Sequence, residues 1–125
     1  MTYSELYHDF QALFPTKTIQ LDQLAKSALA DESDGMHIMF SFVVVPFVIR
    51  LLKEDDSEAL TQAFRFFEEM ASSGDAKITE VLEFTVIENL MSNGVAIFEA
   101  AKKYMGTEML KSCENVSQYL GVADS

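Results

Sequence analysis

Apolar residues recur every three or four positions through most of this chain, the spacing that lines one face of an α-helix. Over residues 3–14, Tyr3, Leu6, Tyr7, Phe10, Leu13 and Phe14 share one side while Glu5, Asp9 and Gln11 turn elsewhere, and Pro15 ends the helix. A narrower stripe of Leu21, Leu24, Ala25, Ala28 and Leu29 predicts a second helix, followed by the polar loop Asp31-Glu32-Ser33-Asp34-Gly35. Residues 36–52 are apolar in almost every helical direction, so a helix there has to be covered on most sides and becomes the centre of the fold. A buried strand over residues 40–45 is the competing reading, because Phe and Val favour pleated surfaces. The helical period on both sides and the lack of a second strand to pair with favour the helix.

Turn and cap residues divide the remainder. Ser33 or Asp34 is positioned to cap the central helix, and Pro46 inside it removes one backbone donor, predicting a kink near Phe42. Asp55 and Glu58 have capping-box spacing ahead of a helix over residues 57–72, where Phe64, Phe66, Phe67 and Met70 lie opposite Glu58, Arg65, Glu68 and Glu69. Gly74 and Asp75 then stop one helix and start another over residues 76–91, apolar nearly all round, with Glu88 falling between Val81 and Phe84 and therefore expected to be partly buried. Asn93-Gly94 and Gly106 bound a helix over residues 95–105. Thr107 is expected to cap a last helix over residues 108–120, with Met109, Leu110, Cys113, Val116 and Leu120 inward and Gly121 ending it. The expected fold is all-α: one domain over residues 1–125 of about seven helices, stacked as antiparallel hairpins in an irregular bundle or a short HEAT-like α-solenoid around a buried central helix.

Composition changes this picture in one respect. Twenty Asp and Glu face nine Lys and Arg, a net charge of −11, and the acidic residues are spread along the chain. Such a chain repels phosphate backbones and anionic membrane surfaces, so neither nucleic acid nor membrane is expected as a partner, and a basic protein is the natural complement. A single cysteine and the lack of a basic, then apolar, N-terminal run point to the cytoplasm.

Candidate chemistry is sparse. His8 and His37 have no Cys or second His at ligand spacing, and the Glu-x-x-His element of di-metal bundles is missing, so no metal or cofactor is expected. Cys113 sits on an apolar face with no basic neighbour there, the setting of a small hydrophobe rather than a nucleophile. No phosphate-binding glycine loop and no Ser/His/Asp grouping occurs, and an enzyme is not expected. What remains is a charged surface. The clusters Asp31/Glu32/Asp34 and Glu54/Asp55/Asp56/Glu58 lie at opposite ends of the central helix, about 25 Å apart, and Glu58, Glu68 and Glu69 share the outer face of the next helix. Glu54, Asp55, Asp56, Glu58, Glu68 and Glu69 are therefore the candidate protein-binding residues.

At F-F-E-E-M (Phe66–Met70), T-V-I-E-N-L (Thr85–Leu90) and K-Y-M-G-T-E (Lys103–Glu108) the chain resembles a family of small all-helical bacterial proteins. Its members are encoded among the immunity genes of polymorphic-toxin and contact-dependent inhibition systems. The resemblance spans about the C-terminal two-thirds and implies a cytoplasmic immunity protein that binds and neutralises a cognate toxin, most plausibly a basic nuclease. A helical scaffold or regulatory adaptor acting through homodimerisation or protein binding is the alternative.

Overall fold

Short turns rich in Asp, Ser and Gly join the helices of the computed structural model, which describes residues 1–120. Among these residues there are seven helices and no strand. They are α1 (Leu6–Ala12), entered through a 3-10 turn at Tyr3–Glu5, α2 (Thr18–Ala28), α3 (Met36–Glu54), α4 (Ser57–Ala71), α5 (residues 76–92), α6 (Val95–Lys102) and α7 (Thr107–Leu120). Gly121, expected to end the last helix, lies outside the described residues.

The all-α expectation holds, with α3 in the middle. It packs against α1, α2, α4, α5 and α6, including helices far from it in sequence. Solenoid units touch only their neighbours, so the arrangement is a bundle. Phe10 seats α1 on this core: its ring lies within 6.2 Å of the rings of Phe14, Phe40, Phe47, Phe66 and Phe67. Aromatic pairs add roughly 0.5–1.5 kcal/mol each beyond area burial, which suits a helix of only seven residues.

Residues 40–45 are neither strand nor regular α-helix. Over Phe40–Val44 the helix widens into a π turn, in which the Val45 N–H reaches back five residues to the Phe40 carbonyl. Pro46 follows two residues later. It has no N–H to give and would crowd the carbonyl four residues back, so the expected disturbance near Phe42 takes the form of a wider turn. A second π segment, Val81–Ile87 in α5, packs against the first. One extra residue in a turn rotates all later side chains relative to a regular helix. Glu88 is partly buried, as expected, but Glu83 is the more deeply buried carboxylate, and the expectation for Phe84 is corrected, since it is 45% exposed.

The caps also differ from those expected. Gly35, at φ 96°, starts α3 without any side-chain cap, while Asp31 and Asp34 close a capping box on each other around the 3-10 turn Glu32–Asp34. Asp55 is not the cap of α4. It takes the left-handed conformation that terminates α3, its N–H bonded to Leu52 and that of Asp56 to Leu51, and Asp56 caps α4 through the Ala59 N–H. Leu29 ends α2 in the same way at φ 55°, which turns it out to solvent instead of into the core. Leu110 and Leu120, expected inside, are 37% and 48% exposed.

Candidate protein-binding surface

The six acidic residues marked out in the sequence separate into three groups. Glu68 leaves the surface set. Its carboxylate reaches from α4 to the start of α7 and accepts from the backbone N–H groups of Glu108 (3.0 Å, Oε2) and Met109 (2.6 Å, Oε1). It therefore does the work expected of Thr107, satisfying the free donors and the positive end of the dipole of α7. Gly106 makes room for it, since a Cβ there would lie 2.4 Å from Oε2.

Glu54 and Asp55 are exposed at the turn after α3. Asp56, Glu58 and Glu69 are spaced along α4. There two adjoining hollows of about 350 and 270 Å³ run between α1, the Pro15–Lys17 turn and α4, sharing Leu13 and Gln62 in their walls. Asp9, Arg65 and Glu69 line one, and Lys17, Asp56 and Glu58 the other. Lys17 is held by Asp56 at 3.3 Å, and Arg65 forms no ion pair among the described residues. The groove thus has an apolar floor from Leu13, Phe14 and Phe66 and a predominantly anionic rim. Sequence reasoning missed Asp9, because nothing local signals that the outer side of α1 faces α4 across a groove.

A polar seam joins α3 to α5 and α5 to α7. His37 Nδ1 lies 2.6 Å from Thr85 Oγ1, and Asn89 Nδ2 donates to Ser41 Oγ (3.4 Å) and to the Thr85 carbonyl (2.7 Å). Asn115 Nδ2 donates to Glu83 Oε2 at 3.3 Å. These bonds satisfy polar groups beside the two wide turns; the Thr85 hydroxyl that meets the His37 imidazole is itself buried in α5. Cys113 has a basic neighbour after all, since Lys102 of α6 lines the same hollow. Burial nevertheless outweighs Lys102 and pushes the Cys113 thiol up from 9.0 to about 11, with Glu83 and Glu114 adding to the rise. A thiol so protonated is a poor nucleophile. Among the described residues no three His, Cys, Asp or Glu side chains are grouped to hold a metal ion. Among the described residues the one helix apolar and long enough to span a bilayer is α3, with a mean hydropathy of 1.8, and half of that stretch is buried inside the bundle.

The model of the family described as Domain of unknown function (DUF7674) matches residues 5–121 of the chain. The chain belongs to DUF7674. No curated protein and no solved structure matches it. The matched range takes in all seven helices of this DUF7674 chain, so the groove, the Glu68 cap and both wide turns lie within the family domain.

Proposed function

We propose that this DUF7674 protein is a non-enzymatic binding protein of the cytoplasm that recognises a basic protein through the groove between α1 and α4. Its concrete role on this reading is that of an immunity protein, which holds a cognate toxin domain, a nuclease, in an inactive complex. The observation that carries the reading is the gathering of Asp9, Asp56, Glu58 and Glu69 around an apolar floor on a chain of net charge −11. Four carboxylates there outnumber Lys17 and Arg65, and an excess of one sign raises the encounter rate with an oppositely charged partner, while the apolar floor supplies contact area once the partner is seated. Nuclease domains are basic around their substrate cleft, which is the complement this groove requires.

The test begins with the reading frame next to the gene. A basic toxin domain encoded there should bind the purified protein with an affinity that falls roughly tenfold or more between 50 and 300 mM salt, and should lose its activity in the complex. Glu58→Lys with Glu69→Lys should slow association without lowering the melting temperature. A neighbourhood without a toxin, or a complex indifferent to both salt and these substitutions, rejects the proposal. The adaptor reading predicts salt-insensitive binding through apolar surface and is favoured only by the exposed side chains of α6 and α7, such as Val95 and Leu120.

A further inference from the structure

The central helix is not covered on every side. Ile38 (37% exposed), Phe42 (52% exposed) and the partly exposed Pro46 and Ile49 form an apolar stripe along the solvent face of α3. None of the four lines the groove between α1 and α4. Charge is distributed unevenly between the two ends of α3. Glu32 and Asp34 are exposed just before the helix, whereas Arg50 and Lys53 are exposed near its far end, and neither cation is engaged in an ion pair among the described residues. On a chain with only nine basic residues, Arg50 and Lys53 near one end of the stripe and Asp31, Glu32 and Asp34 at the other form a self-complementary pattern, with Glu54 and Asp55 following beyond Lys53.

We infer that this face of α3 receives a second copy of the chain, antiparallel about a two-fold axis near Phe42. In an isologous contact residue i meets j and j meets i. With Phe42 against Phe42, Ile38 falls opposite Pro46 of the second copy, Asp34 opposite Arg50 and Glu32 near Lys53. Both ends then carry opposite charges, and the two helix dipoles oppose each other favourably. A basic partner would instead meet Arg50 and Lys53, and an anionic membrane would meet Glu32 and Asp34 together with the net charge. One helix face about 28 Å long is at the small end of specific interfaces, so the dimer should dissociate with a constant on the order of 10 µM.

Sedimentation velocity of the full chain over roughly 1 µM to 1 mM tests this, with circular dichroism and thermal melting confirming that each variant is folded. The wild type should pass from monomer to dimer, and Phe42→Glu should raise the dissociation constant about tenfold or more. Arg50→Glu with Lys53→Glu in one chain, and Glu32→Lys with Asp34→Lys in another, should each lose self-association, and mixing the two should restore it as a heterodimer. A chain monomeric at 1 mM, a dimer indifferent to Phe42→Glu, or a mixture that fails to reassociate would overturn the inference. So would Phe42-dependent flotation with neutral phosphatidylcholine vesicles, which would assign the face to a lipid surface. None of these outcomes bears on the groove between α1 and α4, whose test has its own partner.

Discussion

Replacing Glu68 by Ala should destabilise the fold from the α4–α7 junction without touching the apolar core. The two carboxylate oxygens accept from the N–H groups of Glu108 and Met109 at 3.0 and 2.6 Å. An N-terminal cap is worth about 0.5–2 kcal/mol, and a carboxylate at a helix N-terminus adds about 0.3–1 kcal/mol through the dipole. The junction is half-buried, so water replaces the lost acceptor only in part, and the expected cost is about 2 kcal/mol. For a domain of this size that lowers the melting temperature by roughly 8 °C. Gly106→Ala should reproduce much of the loss from the other side, because its Cβ would displace the carboxylate from its seat 2.4 Å away. The two effects therefore cannot add. Thermal melts of both single variants and the double variant, with amide exchange at Glu108 and Met109, provide the measurement. A Glu68→Ala melting temperature within about 2 °C of wild type, or a double variant whose loss is the sum of the singles, refutes the capping assignment. The same experiment guards any binding study, since a Glu68 variant that weakens partner binding would do so by loosening α7.

Phe67, fully buried and stacked on Phe10 at 5.9 Å, should cost about 3–5 kcal/mol on truncation to Ala, whereas Phe84, exposed and paired only with Tyr119 at 5.5 Å, should cost about 1 kcal/mol or less; denaturant melts distinguish the two. Leu29→Gly should raise stability by about 1 kcal/mol in the same assay, since Leu29 is 92% exposed and held at φ 55°, where a Cβ is unfavourable. Burial first, then Asp22 and Glu32, pushes the Tyr7 hydroxyl up from 10.0 to about 12. The folded chain therefore holds that proton more tightly than the unfolded one, so this contribution is complete below pH 10 and is lost as pH rises toward 12. Tyr7→Phe should flatten the stability profile across that interval.

Much of the architecture was legible in residue spacing, because an amphipathic helix repeats its pattern over several turns and each break carried a Gly, Pro or Asp. Gly74 and Asp75 work as their chemistry suggests, Asp75 accepting from the N–H groups of Lys77 and Ile78. What spacing could not carry is a single inserted residue. Pro46 announces the first wide turn, but residues 81–87 contain no comparable signal, and the regular period assigned there buries Phe84 and misses Glu83. Caps were legible as a class and not individually: Asp55 and Asp56 are chemically alike, and only the termination of α3 decides which of them starts α4. The role of Glu68 was out of reach for a different reason. Its partners lie some forty residues away, and no local pattern distinguishes a carboxylate that bridges two helices from one that faces water.

The hub position of Phe10 ties the groove to folding. One wall of the anionic groove is a seven-residue helix, too short to persist in water by itself, and its ring anchors it to side chains from α3 and α4. A nascent or damaged chain therefore has acidic residues in abundance and still no groove in which to present them. On the proposed reading, a partner of this surface would meet a finished molecule, and a newly made copy would not capture it before its own interior had closed.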